Sequence, residues 1–537
     1  MSNKTIVKDI PDIIQEGIAA GWKTHNGAAL QQDLTLDCDV AIIGTGAGGG
    51  TAAEILAQKG LKVILVEEGP LRSSNHFNME ENRAYSDLYQ EGLTRASSNG
   101  AITIMQGRTV GGSTTVNWTS SFRTPPETLK HWTDVHGLKG FTEAEMTPWF
   151  EHMEKRLNVH KWQRPPNANN SVLSDGCQKL GYDWAIIPRN VKGCWNLGYC
   201  GMGCPTNAKQ SMLVTTIPGA LNHNGELVYR ARAESLIIER NQVKGVVCHA
   251  IADDAVHKTG KTIRIQAKHT VMACGGINGP ALLLRSNAPD PYGRIGKRTF
   301  LHPVPGTIAD FPNRIDGFYG APQSTYSDYF QWKDGATGPM GFKLEVPPMH
   351  PGFVGAIAMG HGETLSGQLQ RLPYLNMLIA LLRDGFHEDS QGGSISLRED
   401  GLPAVDYPFT DYMLDGVRRA LHTMAEIQFA AGAAKVRPIH VVGQFHSTLA
   451  ETKAHIDALD LKPNRVRIGS AHVMGGCAMG EDEKTSVVDS NGKFHQLDGL
   501  HVLDGSIFPT SIGANPQLSI YGIVARAATR LADQLSA

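Results

Sequence analysis

A glycine pattern that follows a short apolar run is the clearest chemical signal in the chain. Its members have the spacing G-x-G-x-x-G and are Gly44, Gly46 and Gly49. In a strand–turn–helix unit the first glycine permits the tight turn, the second lets the backbone approach a pyrophosphate, and the third lets helix and sheet pack closely. A second apolar run ends in Glu67, close to the roughly 20-residue spacing expected of an acid that binds a ribose hydroxyl. The pattern predicts a dinucleotide-binding βαβ unit whose helix N-terminus attracts phosphate.

Three cysteines crowd a glycine-rich stretch that ends in Pro205, and they are Cys194, Cys200 and Cys204. Closely spaced thiolates on such a loop are able to hold an iron–sulfur cluster. Eight cysteines in 537 residues are too few for a disulfide scaffold, and a four-thiolate site would need Cys177 or another residue. From the residues alone, a cluster, a structural or zinc-like loop and a disulfide all stay open.

The elements that must position these residues alternate between strand-like and helix-like patterns. Residues 271–276 form another apolar run that ends in glycine, and a helix-like segment, 281–285, follows it. Strand-like runs on either side of Asp400-Gly401 predict a hairpin, and the apolar spacing over 414–432 predicts a helix. Because strand-then-helix character returns after residue 460, we predict that a second domain is threaded through the dinucleotide-binding domain.

Composition excludes several classes of protein. A net charge of −2 shows no footprint for nucleic acid or for an anionic membrane surface. No apolar run approaches the roughly 18 residues that a bilayer-spanning helix needs, and the N-terminal residues lack an apolar signal core. We therefore expect a cytoplasmic protein without a transmembrane segment, and the alternatives are a membrane-peripheral location or export together with a partner.

Five stretches in sequence order resemble the glucose–methanol–choline family of flavin-dependent alcohol oxidoreductases. They are the glycine pattern with its acid at 44–67, Gly107 to Asn117, Val271 to Pro280, His472 to Gly480, and Asp504 to Pro509 with its continuation to Pro516. The resemblance implies an α/β fold, α+β overall. It has a Rossmann-like FAD-binding domain and a discontinuous substrate-binding domain built on an antiparallel sheet with helices. The FAD-binding domain is predicted at residues 1–123, 213–305 and 461–537. The substrate-binding or cap domain is predicted at 124–212 and 306–460, and it includes the cysteine-rich loop 193–205.

The resemblance also implies where FAD binds. The pyrophosphate would lie over the glycine pattern, the adenosine ribose would lie on Glu67, and residues 107–117 would run along the pyrophosphate and the flavin ring. Glycines suit that stretch because a backbone pressed against a flat ring cannot carry bulky side chains. The predicted cofactor-binding residues are Gly44, Gly46, Ala47, Gly49, Glu67, Glu68, Arg108, Gly111, Gly112, Ser113, Asn117, Ala233, Cys274, Gly275, Asp504, Gly505, Asn515, Pro516 and Gln517.

Alcohol oxidation by a flavin needs a base for the hydroxyl proton and a path for the carbinol hydride to the flavin. A neutral imidazole suits the first requirement because its pKa lies near working pH. By the resemblance that base is His472, and Asn515 is the partner that holds the substrate oxygen. The amide at position 515 is similar to the sterol-oxidising branch of the family. Lys343 to Met349 also resembles that branch, in which Glu345 would be a second acid or base or an anchor for the alcohol.

The cysteine-rich loop has two similarities that point in different directions. Its spacing resembles that of bacterial FAD-dependent glucose and fructose dehydrogenases, which carry a 3Fe–4S cluster that passes electrons to a haem partner. Residues 206–212 instead resemble the long-chain alcohol oxidase and dehydrogenase branch. The first similarity implies Cys194, Cys200 and Cys204 as cluster ligands and a cytochrome or small partner subunit. The second implies a loop without a cluster.

The substrate expectation is a hydrophobic alcohol, because apolar residues are plentiful between 353 and 379 and few charged groups lie beside the Glu345 segment. We expect oxidation to an aldehyde or ketone by a dehydrogenase rather than an oxidase, with a quinone, a cytochrome or oxygen as the acceptor. The alternatives are a non-redox flavoprotein lyase of the same fold, the catalytic subunit of a cytochrome-coupled complex, and a nicotinamide enzyme. The additional flavin-family stretches argue against the last of these.

Overall fold

The structure is a computed structural model that describes residues 10–358 and 360–536. The first nine residues of the predicted FAD-binding domain, on which the prediction about the signal core rests, lie outside the described residues, as does Ala537 at its other end. Among the described residues, no helix is both long and apolar enough to cross a bilayer.

The helices of the described residues are numbered in chain order. They are α1 Ile13–Ala19, α2 Ala47–Gln58, α3 Glu81–Leu88, α4 Ser113–Val116, α5 Pro126–His136, α6 Glu143–Arg156, α7 Ala168–Leu180, α8 Thr216–Leu221, α9 Gly275–Arg285, α10 Pro351–Ile357, α11 Gly362–Gln370, α12 Asp411–Ala431, α13 Leu449–Asp457 and α14 Gln517–Ser536.

The strands of the described residues are numbered in the same way. They are β1 Lys23–Asn26, β2 Leu34–Ile43, β3 Val63–Glu67, β4 Ile102–Ile104, β5 Val159–Lys161, β6 Ala185–Ile186, β7 Pro188–Asn190, β8 Glu226–Tyr229, β9 Ala231–Glu239, β10 Gln242–Ile251, β11 Lys258–Met272, β12 Lys297–Phe300, β13 Gly306–Asp310, β14 Thr325–Ser327, β15 Phe342–Glu345, β16 Leu375–Leu382, β17 Gly393–Leu397, β18 Pro403–Asp406, β19 Lys435–Pro438, β20 Ile468–Ser470, β21 Met474–Gly475 and β22 Leu500–Val502.

The main sheet has the strand order β1-β8-β3-β2-β11-β10-β9, and β22 also pairs with β11. Strands from β1 to β11 in that order are parallel. Every residue of β3 is buried, as expected of a parallel strand that is covered on both faces. The helices α2 and α14 pack against each other on this sheet. This arrangement confirms the predicted Rossmann-like α/β architecture.

Strand β11 serves two parts of the main sheet because it is 15 residues long. It pairs antiparallel with β10 over 258–266 and parallel with β2 over 263–272, and its last three residues also pair parallel with β22. The alternating pattern from Val228 to Ile238 predicts one strand, but the structure divides it between β8 and β9. The chain turns at Arg230, which has a positive φ of 53° and therefore cannot continue an extended strand.

A second sheet of six strands has the order β19-β13-β16-β15-β14-β6, and its neighbouring strands are antiparallel. Helices α7 and α12 pack together against it. This sheet confirms the expected antiparallel sheet with helices, and α12 spans nearly the residues that the apolar spacing predicted. The predicted hairpin is also present, as β17 paired antiparallel with β18.

Candidate active site

A cavity of about 730 Å³ lies between the main sheet and the six-stranded sheet. The predicted cofactor residues reach it from the main-sheet side, and they are Gly44, Gly46, Ala47, Glu67, Glu68, Arg108, Gly112, Ser113, Asn117, Ala233, Cys274, Gly275, Asp504, Gly505, Asn515, Pro516 and Gln517. His472 also lines the cavity. Residues that are far apart in the sequence therefore meet around one space that is large enough for a cofactor and a substrate.

The glycine pattern has the geometry of a cofactor cradle. Gly44 has a φ of 104°, and a Cβ there would lie 2.2 Å from the carbonyl oxygen of Ala273. Gly46 is the N-cap of α2 and has an ordinary φ of −71°. A Cβ on Gly46 would meet only Gly112 Cα, at 3.9 Å, so it would point into open space above the helix N-terminus. The first glycine is required by the turn, and the second leaves room for a ligand at the positive end of the helix dipole.

Glu67 accepts hydrogen bonds from the turn that contains the glycine pattern. One carboxylate oxygen accepts hydrogen bonds from Thr45 N and, at 2.5 Å, from Thr45 Oγ1, and the other accepts one from Gly69 N at 2.9 Å. Burial raises the pKa of Glu67, although these donors oppose the increase. Thr45 Oγ1 also accepts a hydrogen bond from Gly111 N at 2.9 Å. Thr45, which the sequence did not single out, therefore joins the glycine turn, the acid and the segment around Gly111.

Glu68 forms an ion-pair cluster on the cavity wall. Its Oε1 lies 3.0 Å from Arg108 Nη2 and 2.8 Å from Arg232 Nη2. Burial would raise the pKa of Glu68, but the two arginines outweigh this effect and lower it. Among the described residues, Arg108 Nε is buried without a hydrogen-bond partner, whereas Nη2 is held by the ion pair with Glu68. This end of the cavity thus holds an unsatisfied arginine donor that suits the polar half of a dinucleotide.

Two hydrogen-bonded links close the cavity around the predicted flavin segment. Asp504 Oδ2 accepts a hydrogen bond of 2.7 Å from Gly275 N at the start of α9, and burial raises the pKa of this carboxyl. Asn117 donates a hydrogen bond of 2.7 Å to Gln517 at the start of α14. The first contact joins the loop after β22 to the start of α9, and the second joins the segment after α4 to the start of α14. The residues present fit the FAD that the resemblance implies.

Three predicted site residues lie behind the cavity wall and do not line it. Gly49 packs on the glycine turn, where a Cβ would lie 1.9 Å from the oxygen of Gly44. Gly111 has a φ of 90° and lies against Thr115. Glu345, at the end of β15, is buried and reaches the site only through its hydrogen-bond partners. The first two therefore shape the backbone, and the third acts on the residues that face the cavity.

His472 is partly exposed and lines the cavity, and its Nδ1 atom lies beside His302. The two Nδ1 atoms lie 3.2 Å apart, and the rings meet edge to face. His302 Nε2 accepts a hydrogen bond of 3.2 Å from Gly513 N. Burial, together with the positive charge of Lys343, lowers the pKa of His472 to about 4, so the imidazole is neutral at pH 7. No chemical role was predicted for His302 from the sequence.

Glu345 forms a buried hydrogen-bonded group with two amides. Its Oε2 accepts hydrogen bonds from Gln323 Nε2 at 2.6 Å and from Asn515 Nδ2 at 3.1 Å. Its Oε1 is buried without a partner, as is Asn515 Oδ1. Burial raises the pKa of Glu345 to about 7, against the opposing effects of Lys343 and the two amides. The predicted pair of Asn515 and Glu345 is thus adjacent, and Gln323 is a member that the sequence missed.

Lys343 supplies a buried positive charge behind these groups. Its Nζ donates a hydrogen bond of 2.7 Å to Asp328 and lies 3.7 Å from the ring centroid of Phe122 and 3.8 Å from that of Tyr326. Aromatic faces stabilise a cation in this way. The charge favours ionised Glu345 and neutral His472.

The wall of the cavity on the side of the six-stranded sheet is apolar. The predicted apolar residues that line it are Phe353, Ile357, Met377 and Ile379, and the structure adds Leu381 and Ile439. Other members of the apolar stretch, Leu375 and Leu378, are buried in hydrophobic clusters instead. The cavity therefore offers an apolar surface on the side away from the glycine cradle.

The cysteine-rich loop lies outside the cavity lining, and its thiols make separate local contacts. Cys194 Sγ accepts from Asn196 N at 3.4 Å, Cys200 Sγ accepts from Arg189 Nη2 at 3.6 Å, and Cys204 Sγ accepts from Lys209 N at 3.5 Å. Within residues 10–358 and 360–536, no group of three or more His, Cys, Asp or Glu side chains converges as a metal site. The structure therefore gives no support to the expected 3Fe–4S ligand set.

Lys209 explains how the cysteine-rich loop is held. Its buried Nζ donates hydrogen bonds to the carbonyl oxygens of Thr115, Asn117 and Cys200 at 2.6, 2.9 and 2.7 Å. Burial lowers the pKa of Lys209 to about 8. The lysine thus joins the loop to the segment 107–117, which the resemblance places along the flavin. This structural role is compatible with a loop that holds no cluster, which is what the similarity to the long-chain alcohol oxidase and dehydrogenase branch implies.

Comparisons with known proteins agree with this arrangement. Two family models described as GMC oxidoreductase match residues 85–304 and 389–523, and a model described as an FAD binding domain matches residues 39–78. The two GMC oxidoreductase models together span about two thirds of the chain.

Relatives of similar sequence are named as oxidases. A long-chain-alcohol oxidase from Arabidopsis thaliana is 27% identical over 99% of this chain and 71% of its own length. The 6'''-hydroxyparomomycin C oxidase of Streptomyces lividus is 27% identical over 93% of this chain and 92% of its own length.

Solved structures share the fold at lower identity. Pyridoxine 4-oxidase from Mesorbium loti superposes with a TM-score of 0.68 at 17% identity, covering 92% of this chain and 99% of that one. A formate oxidase from Aspergillus oryzae has a TM-score of 0.66 at 15% identity, covering 94% of this chain and 100% of that one. With the matched families, the glycine cradle and the cavity between the two sheets, the chain belongs to the GMC oxidoreductase family.

Proposed function

We propose that the protein oxidises a hydrophobic alcohol to an aldehyde or ketone with FAD as its cofactor. The observation that carries the proposal is the content of one cavity. A glycine cradle and an unsatisfied arginine donor lie at one end, His472 and Asn515 lie at the other with Glu345 behind Asn515, and apolar side chains form a wall. When bound, FAD supplies the acceptor for the hydride of the carbinol carbon.

The residues of the chain would divide the remaining tasks. Residues 44–47 and 107–117 would hold the pyrophosphate and the ring, with Glu67 and Glu68 on the ribose side. Asn515 would position the hydroxyl oxygen, because its amide is neutral and already oriented by Glu345. His472 would handle the hydroxyl proton, and Glu345, with one partnerless oxygen, would be a second acid or base.

The apolar wall supports a substrate with a hydrocarbon body. Phe353, Ile357, Met377 and Ile379 offer no hydrogen bonds, so each methylene of a bound chain would gain roughly 0.8 kcal/mol from burial. A sugar would leave its hydroxyls unpaired against this surface. The name of the long-chain-alcohol oxidase relatives points in the same direction.

The names of the relatives also favour oxygen as the electron acceptor over the quinone or cytochrome expected of a dehydrogenase. A location in the cytoplasm, without a cytochrome partner, is the simplest accompanying proposal.

Anaerobic mixing of the purified flavoprotein with straight-chain primary alcohols of increasing length tests the proposal. We expect the flavin absorbance to bleach, with an apparent Kd that falls several-fold for each added methylene until the cavity is filled. Admission of air should then restore the colour and release peroxide. A flavin that stays oxidised with every alcohol, while glucose or a cyanohydrin is consumed, would overturn the proposal.

His472 variants locate the chemistry in the cavity. His472→Gln should slow flavin reduction by roughly 100-fold or more, which is the scale for loss of a proton-transfer group, with flavin content unchanged. His440→Gln is a suitable control because His440 is also a buried histidine but does not line the cavity. Equal reduction rates in the two variants would remove His472 from the mechanism.

A further inference from the structure

Two buried positive charges lie against the cysteine-rich loop, and within the described part of the chain neither has a carboxylate partner. Arg189 has no exposed surface, and it donates hydrogen bonds to Thr119 Oγ1 at 2.7 Å, to a carbonyl oxygen at 3.2 Å and to Cys200 Sγ at 3.6 Å. The other charge is Lys209, whose Nζ donates only to carbonyl oxygens. An unpaired buried charge is costly, so the two cations favour an anionic group beside them.

The ionisable groups that face these charges are thiols of the loop. Arg189 Nη1 is buried without a hydrogen-bond partner, so the guanidinium has an unused donor beside the one that contacts Cys200. Burial lowers the pKa of Lys209 to about 8, and Cys200 and Cys204 oppose this decrease, whereas no Asp or Glu of the described residues does so. A neighbouring Lys or Arg favours the ionised form of a thiol, and that form is the nucleophile. The loop therefore supplies the anion that the cations favour, and with it a reactive sulfur.

Exposure and charge together single out Cys200 among the cysteines. Four of the eight cysteines, all of which the structure describes, are partly exposed, and three of these belong to the loop. The fourth, Cys274, faces the carboxylate of Asp504, and burial together with this charge raises the pKa of its thiol. In the loop, Cys194 Sγ and Cys204 Sγ accept hydrogen bonds from backbone N–H groups, and Cys200 is the thiol in contact with a cationic side chain. Cys200 therefore has the electropositive, partly exposed surroundings of a reactive cysteine.

The loop next to Cys200 lies directly behind the cavity wall. Tyr89 Oη donates a hydrogen bond of 2.6 Å to the carbonyl oxygen of Gly201, and a Cβ on Gly201 would lie 2.9 Å from Trp118 Nε1. Tyr89 and Trp118 both line the cavity. Hydrogen peroxide, which the proposed reaction releases when oxygen is the acceptor, would therefore form one layer of side chains away from the loop.

We propose that Cys200 is a peroxide-reactive thiol and that its oxidation links it to a second cysteine of the loop. The Cys200 thiolate attacks one oxygen of hydrogen peroxide, the O–O bond breaks, and the leaving hydroxide takes up a proton, which gives a sulfenic acid and water. The thiol of Cys194 or Cys204 then attacks that sulfur, the S–S bond forms and a second water leaves. Two thiols lose two electrons in total, and one peroxide is reduced to two waters.

Peptide mapping of the flavoprotein after treatment with hydrogen peroxide at pH 7 tests the proposal. We expect a disulfide that joins Cys200 to a second loop cysteine, formed roughly 10-fold or more faster than free cysteine is oxidised, since only a few per cent of free cysteine is ionised at this pH. Cys38 and Cys248 are buried and should stay reduced as internal controls. Cys200 that stays reduced while free cysteine is fully oxidised would overturn the proposal. No alcohol is present, so the result is independent of the proposed alcohol oxidation.

Serine variants identify which thiol attacks the peroxide. Cys194→Ser combined with Cys204→Ser removes both thiols that could close the disulfide, so the sulfenic acid should persist on Cys200 and be trapped there by dimedone. Cys200→Ser keeps the other two thiols and should give neither a disulfide nor a dimedone adduct at the rate of wild type. Equally fast oxidation of Cys194 or Cys204 in Cys200→Ser would mean that the loop is merely exposed, and the proposal would fail.

A pair of variants at Arg189 tests the role of the buried charge. Arg189→Gln removes the cation next to Cys200 and should slow the oxidation of Cys200 roughly 10-fold, whereas Arg189→Lys keeps a cation and should remain closer to wild type. Flavin content per soluble chain shows whether each variant is folded, and the serine variants decide the proposal if Arg189→Gln is not. Unchanged oxidation of Cys200 in folded Arg189→Gln would overturn its electrostatic basis.

Discussion

Replacement of Glu345 by glutamine has an outcome that follows from its two oxygens. Oε2 accepts both hydrogen bonds of the carboxylate, from Gln323 and Asn515, and Oε1 has none. A glutamine oriented with its oxygen in the Oε2 position keeps both bonds. The variant therefore removes the charge and the titration while it preserves the shape and the partners.

The stability effect depends on pH because burial raises the pKa of Glu345 from 4.5 to about 7. Below pH 4.5 the carboxyl is protonated in both the folded and the unfolded chain, and it carries no penalty. As pH rises towards 7 the unfolded chain releases the proton first, so the free energy of unfolding decreases. Above pH 7 the full loss is present, at about 3 kcal/mol for a shift of this size.

The measurement compares wild type and Glu345→Gln at pH 5 and pH 8. With FAD in equal excess, urea unfolding is followed by tryptophan fluorescence. The difference in the free energy of unfolding should move in favour of the variant by about 2.5 kcal/mol between the two pH values. Glu363→Gln, an exposed acid on α11, is the control and should show no such change. A difference between wild type and Glu345→Gln that is independent of pH would refute the buried, destabilised carboxylate.

Catalysis should move in the opposite direction from stability. If Glu345 receives the hydroxyl proton, flavin reduction in wild type rises with pH through about 7, where the carboxylate ionises. The variant should be roughly 100-fold slower at pH 8 and should lose this dependence. A stabilised variant that keeps the wild-type rate and pH profile would remove Glu345 from the proton path.

Three further predictions concern the cradle, the core and the loop. Gly46→Ala should fold but lose most of its flavin, because the added methyl would occupy the open space left for the cofactor. Gly48→Ala should fail to fold, because its Cβ would lie 1.9 Å from a carbonyl oxygen. Flavin absorbance per soluble chain distinguishes the two variants. Burial lowers the pKa of His269 to about 3 and of His501 to about 4. The stability that these neutral histidines contribute is therefore complete above pH 6.5 and should be lost as pH falls towards 4. His501→Asn should show a smaller loss of Tm over that interval. Simultaneous replacement of Cys194, Cys200 and Cys204 by serine should leave flavin content and the rate of flavin reduction within about 2-fold of wild type. Wild-type protein prepared anaerobically should contain less than one iron per chain.

The features that the sequence predicted well depend on local geometry. A few neighbouring residues are enough to predict the glycine turn, the apolar strand that follows it and the hairpin around Asp400-Gly401. The helix α12 likewise has a continuous apolar face. For the same reason the prediction of one strand over 228–238 was wrong, since the positive φ of Arg230 leaves no mark in an alternating pattern.

The features that the sequence missed depend on contacts between distant segments. Thr45 joins Glu67 to Gly111, and Gln323 completes the Glu345 group, although neither lies in a recognisable motif. The cysteine-rich loop shows the reverse situation. Its spacing was compatible with a cluster, but the thiols have separate partners and a buried lysine, Lys209, holds the loop. Spacing in the sequence limits which side chains can meet and does not determine that they do.

The histidine pair shows why register matters most. Strand β12 pairs antiparallel with β21, with Thr299 opposite Gly475 and Phe300 opposite Met474. Two residues further along the same register, His302 and His472 face each other just beyond the paired strands. The register depends on a close approach of the two backbones, since a Cβ on Gly475 would lie 1.9 Å from the carbonyl oxygen of Arg298. A shift of one residue would turn His302 away from His472. The same few hydrogen bonds that join β12 to β21 therefore bring His302 and His472 together at the cavity.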